Sequence, residues 1–195
     1  PVGNGRSDSG LWINPRMESL FHPGEYVRRL FFLNAGCVHR APPEDVDARY
    51  LARMLDLMAD FPRGTKLLLL AFDYAHDEAG RRDREHSAFH TPDAYAQELA
   101  RAHPDVFEWA ASIHPCRADA VERLERAAAA GARAVKWLPQ AMRIDPASPR
   151  CERFYETAAR LGIALLTHAG EEKAVHGAEA RGFGNPLRLR RALDA

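Results

Sequence analysis

Gly162-Ile163-Ala164-Leu165-Leu166-Thr167-His168-Ala169-Gly170-Glu171-Glu172 combines a helix stop, a short apolar strand and an abrupt cluster of His, Gly and two carboxylates. Apolar runs of this length suit strands buried on both faces, as in parallel sheets covered by helices. The polar cluster falls at the carboxyl end of the strand, where α/β folds place their ligands. The same pattern recurs upstream in Ala134-Val135-Lys136-Trp137-Leu138-Pro139 and in Trp109-Ala110-Ala111-Ser112-Ile113-His114-Pro115. Three such runs predict a site shared by several strand ends.

Working outward, residues 1–24 read as a long loop rich in Gly, Asn, Ser and Pro. Apolar residues at 26, 27, 30, 31 and 33 make a helical face that Asn34-Ala35-Gly36 ends, and 44–59 carry a second amphipathic stripe. A strand is predicted over 66–72. Residues 73–90 follow as a long loop whose charged part, Arg81 to His86, reads as solvated. Thr91 with Pro92 is a helix start, Thr91 capping and Pro92 in the first turn, for a helix reaching about residue 102. Then come a strand (107–113), a helix ended by Gly131 (118–130), a strand (134–138), a helix ended by Gly162 (150–161) and a strand (164–167). Asn185 caps a last helix that ends at Leu193.

Strict alternation from residue 44 implies a parallel sheet with right-handed crossovers. A doubly wound sheet and a (β/α)8 barrel both fit, and the absence of a Gly-x-Gly-x-x-Gly turn weighs against the dinucleotide-binding form. A whole barrel needs about 250 residues, and this sequence of 195 shows four clear strands. The expected architecture is α/β, a TIM barrel incomplete in this chain. Residues 1–195 are expected to form a single partial domain that lacks the first and last strands.

Charge is balanced, with 27 basic and 27 acidic residues, which argues against nucleic acid or an anionic membrane as partner. No apolar run approaches the roughly 20 residues of a bilayer span, and the first residues have no signal-peptide pattern. Three widely spaced cysteines suit a reducing compartment, so the expected location is cytoplasmic. The expected partner is a small-molecule substrate, and a homo-oligomer is compatible with this composition.

The run Gly131 to Pro139, the run Gly162 to Gly170 about 30 residues later, and the strand end Ser112-Ile113-His114-Pro115 together resemble the amidohydrolase superfamily. The likeness is to the branch of metal-dependent hydrolases and related decarboxylases, and it is strongest over residues 105–195. It implies a (β/α)8 barrel with a divalent metal, zinc before others, at the strand ends. The family's ligands are a His-x-His pair on the first strand, a His on the fifth, another on the sixth and an Asp on the eighth. His168 corresponds to the fifth-strand ligand. The nine histidines contain no His-x-His pair, so the chain is expected either to be incomplete or not to form the metal site alone.

Each candidate has two readings. His168 is a metal ligand, which a rigid strand end would aim, or a histidine satisfied by backbone. Lys136, inside an apolar strand, binds substrate or acts catalytically, or else its head snorkels past the rim. Glu171, with Glu172, is an acid/base group or a first-turn helix carboxylate. His114 lines the substrate pocket, or caps and packs. His86 and His90 are four apart but lack the His-Glu-x-x-His pattern. The leading expectation is a metal-dependent hydrolase in which metal-activated water attacks a C–N or C–O bond. The alternatives are a decarboxylase on the same scaffold, a Schiff-base aldolase using Lys136, and a barrel-derived binding protein without catalysis.

Overall fold

The computed structural model describes residues 10–170 and 178–195. The strands are β1 (Trp12–Ile13), β2 (Leu67–Leu70), β3 (Ala75–His76), β4 (Arg82–Asp83), β5 (Phe89–His90), β6 (Phe107–Ala111), β7 (Ala134–Trp137) and β8 (Ala164–Thr167). The helices are α1 (Pro23–Ala35), α2 (Val46–Ala59), α3 (Asp93–Ala102), α4 (Ala120–Ala129), α5 (Pro139–Met142), α6 (Glu152–Leu161) and α7 (Arg190–Leu193). No described helix is long and apolar enough to cross a membrane.

The architecture is α/β. β2, β6, β7 and β8 form one sheet in that order, every neighbouring pair parallel, and among the described residues it does not close into a barrel. The register sets Leu69 beside Trp109, Ala111 beside Val135, and Trp137 beside Thr167. Because side chains alternate across a strand, Leu69, Phe107, Trp109, Val135 and Trp137 share one face. Ala96 and Ala100 of α3, Leu124 and Ala127 of α4, and Phe154 and Tyr155 of α6 pack into the same core. Trp137 is fully buried with its ring 5.2 Å from that of Phe154, and its Nε1 donates to Ile113 O at 2.8 Å. That bond satisfies the one polar atom of an otherwise apolar side chain. Leu68, Ala110, Ala134, Lys136 and Leu166 occupy the opposite face, where Leu68 and Leu166 remain exposed.

Gly162 ends α6 in the left-handed conformation (φ +64°), and its N–H and that of Ile163 return to α6 carbonyls before β8 begins. Asn185 accepts from Leu187 N and caps a 3-10 turn, Pro186–Leu189; only Arg190–Leu193 beyond it is α-helical, shorter than the pattern predicts.

Three expectations change. Residues 73–90 are not a plain loop: β3 pairs with β4, and β5 pairs antiparallel with β1. Two-residue strands carry no periodicity from which to read them. Buried Asn14 holds this segment, donating from Nδ2 to Ser87 O at 2.9 Å. Nor is the charged run simply solvated, because the Arg82 guanidinium lies 4.5 Å from the centre of the Tyr74 ring, on which the His90 ring also stacks at 4.1 Å. Thr91 does not cap α3. Its backbone pairs with Phe72 in both directions, at 2.9 Å, and its hydroxyl has no hydrogen-bond partner among the described residues.

Candidate functional site

Parallel strands deliver their carboxyl ends to one edge of the sheet. Asp73 and His76 follow β2, Ser112 and His114 follow β6, Gln140 lies in α5 just after β7, and His168 follows β8. These are the polar positions that the strand pattern predicts, joined by Asp73, His76 and Gln140.

Ser112 links the ends of three strands. Its buried Oγ accepts from Asp73 N at 3.0 Å and donates to Lys136 O at 2.9 Å, while its own N–H donates to Asp93 Oδ1 at 2.8 Å. Asp73 is equally buried. Its carboxylate accepts from Tyr74 N (2.9 Å), from His114 N (3.0 Å) and from Arg117 Nη1 (3.3 and 3.4 Å). Arg117 also pairs with Asp119 through Nε (2.8 Å) and Nη2 (3.0 Å), which fixes its guanidinium plane.

The two histidines beside this carboxylate are held neutral. Burial pushes His114 down to about 3, with His76 the next cause, and burial likewise lowers His76. His114 Nε2 lies 3.0 Å from Met142 O, and Cys116 N donates to Nδ1 at 3.2 Å. The carbonyl can only accept, so Nε2 carries the proton. Both ring nitrogens of His114 are therefore engaged by the chain. His76 donates through Nδ1 to Tyr74 O at 2.9 Å, which leaves Nε2 as the acceptor, 3.4 Å from Arg117 Nη1. A cavity of about 580 Å³ opens beside the two rings, lined also by Cys116, Arg143, Arg150 and Cys151. His114 borders this cavity while both of its ring nitrogens are bonded to the chain.

At the other end of the edge, His168 is half-buried, and its N–H extends the β7 ladder to Trp137 O at 3.0 Å. The turn after it is clamped. Gly170 N donates to Gly184 O at 2.8 Å, and buried Gln140 donates through Nε2 to Gly170 O (2.9 Å) and Arg181 O (3.0 Å). A side chain at Gly184 would run into Gly170 O and the Gln140 amide, so only glycine lets the two segments approach this closely. Half-buried Lys136 lies in β7 beside Leu166, one residue before Trp137 and on the opposite face. Glu171, and Glu172 with it, lie outside the described residues.

His86 and His90 do not act as a pair. His86 Nδ1 meets Asp83 Oδ2 at 2.8 Å, whereas burial drives His90 down to about 4. Asp73, His76 and Gln140 escape a reading of the sequence because their partners lie far along the chain. The signal available was a carboxylate placed directly after the apolar run that ends at Phe72.

A parallel α/β sheet with its polar side chains gathered at the carboxyl edge defines a class of ligand-binding and catalytic domain. Compared as a sequence profile, the amidohydrolase family matches residues 38–194, a span that contains Asp73, His114, Lys136 and His168. The chain belongs to the amidohydrolase family. Membership carries a general amidohydrolase-superfamily function, that of an enzyme of the hydrolase or a related kind. No curated protein and no solved structure matches the chain.

Enzymes of this family generally use divalent metals. Catalytic zinc takes three protein ligands and leaves one position open. Among the described residues no group of three or more His, Cys, Asp or Glu side chains is placed to hold a metal ion. The described residues therefore do not make a metal site by themselves.

Proposed function

We propose that this protein is a metal-dependent hydrolase that cleaves a C–N or C–O bond of a small molecule at the carboxyl edge of its parallel sheet. The sheet is one side of a (β/α)8 barrel in this reading. The observation that carries it is the position of His168, directly after β8 on that edge, in a chain whose family match includes it. Its backbone is tied to β7 and the following turn to Gln140, so the imidazole is presented from a rigid element.

Lys136 suits substrate recognition. Its ammonium belongs to the sheet face away from the helical layer, where it can meet a carboxylate or polarise a carbonyl oxygen. His114 supports the pocket wall through its ring, and Glu171, three residues beyond His168, is the proposed acid/base group. Ser112 and Asp73 hold the strand ends in register.

The test is metal content of the full-length product by plasma mass spectrometry, beside His168→Ala. About one or two equivalents of zinc or a similar cation, lost in the variant, are expected. A metal-free product whose unfolding is insensitive to chelator would overturn the metal-dependent reading.

A further inference from the structure

The sequence predicts an apolar face on α1, and the structure turns much of that face outward. Val27, Leu30 and Phe31 are 61%, 41% and 65% exposed, and Leu20 and Phe21, just before the helix, are 75% and 94% exposed. Positions 27, 30 and 31 stand three and four residues apart and so form one stripe. Inward, α1 buries Leu33, which packs with Val38 and Val46. Scattered exposed apolar residues are ordinary, but a helix stripe of three with two more exposed apolar side chains in the turn leading into it marks an interaction surface.

We propose that this face is a self-association surface, on which α1 of one copy packs against α1 of a second copy. Three observations favour a second copy over other occupants. First, the charges beside the stripe are already neutralised within the chain: Arg28 Nη1 pairs with Glu25 at 3.0 Å, and Arg29 Nη2 with Glu18 at 3.2 Å. A neutral face can meet its own copy without like-charge repulsion, and it lacks the unpaired basic rim of a helix that lies on anionic lipid.

Second, the area is right. With an aromatic side chain at about 150–250 Å² and the aliphatic ones somewhat smaller, the five residues expose on the order of 600 Å². One partner of a stable interface contributes about 800 Å². Third, the face is backed by the core. The Phe31 ring contacts Phe32 at 6.3 Å, Phe32 contacts Phe89 at 6.3 Å, and Phe89 contacts Phe72 at 4.5 Å. An aromatic anchor held in this way has little freedom left to lose on binding. A two-fold arrangement makes the contact isologous, each Phe31 meeting the same patch on its partner.

Sedimentation velocity of the full-length product over a wide concentration range tests this inference. The expected result is a monomer–dimer equilibrium that Val27→Glu/Phe31→Glu weakens by at least about 100-fold. If the double variant fails to fold, Phe21→Ser decides, since a side chain this exposed contributes little to folding; a loss of about tenfold is expected. A monomer at every concentration would overturn the proposal. So would a dimer untouched by these variants, or sedimentation with anionic vesicles by a protein that stays monomeric in their absence.

Discussion

Between pH 7 and about pH 4.5 the protein is expected to lose on the order of 5 kcal/mol of unfolding free energy through His90 and His114 alone. Burial is the leading cause at both sites, lowering His114 from its ordinary 6.5 to about 3 and His90 to about 4. In the unfolded chain both imidazoles take up a proton below about pH 6.5. The folded chain refuses it, so the unfolded state binds more protons across this window and stability rises with pH. The contribution is complete above the ordinary histidine value and is lost progressively as pH falls towards the folded one.

His76, also lowered by burial, acts in the same direction. Asp83 and Asp119, held below the usual carboxylate range, add their own losses only at lower pH. Asp93, raised by burial, opposes them. Urea unfolding at several pH values checks the expectation, and His114→Gln, which can still donate to Met142 O, should flatten the slope. A stability unchanged between pH 7 and pH 4.5 would mean that these rings are not buried in neutral form.

Asp73→Ala is expected to cost about 3–5 kcal/mol, the range for removing one partner of a buried ion pair. The Arg117 charge keeps Asp119, so part of the cost comes from backbone instead. Tyr74 N and His114 N both donate to the Asp73 carboxylate. Without it two buried donors lose their acceptor, at roughly 1–3 kcal/mol each. Asp73→Asn keeps a side-chain oxygen for one of them and should cost about half as much. Chemical denaturation of the two variants gives both numbers. An alanine variant within about 1 kcal/mol of the parent would show that the strand ends do not depend on this carboxylate.

The repeating layout of the sheet was legible because its signals are local. Apolar runs of four or five residues, amphipathic stripes and the stop at Gly162 each act within a few positions, and the parallel order follows from their alternation. The edge positions of Ser112, His114 and His168 follow from the same pattern. What escaped was set by distance. Asp73 meets His114 N across 41 positions and Arg117 across 44, and no periodicity connects them. The short strands between residues 75 and 90 exist only because β1 and a neighbouring hairpin supply partners. Likewise, the apolar positions of α1 announce a helix, but which of them turn inward depends on what else is folded against it.

Hydrolysis is the measurement closest to the proposed assignment. The full-length product would be assayed against a panel of small amides, lactones and esters, with His168→Ala and Lys136→Ala measured in parallel. The expected result is turnover on at least one class, lowered more than about 100-fold by His168→Ala, with Lys136→Ala acting mainly on KM. Turnover that survives His168→Ala at the parent rate would contradict the placement of the active centre at the end of β8.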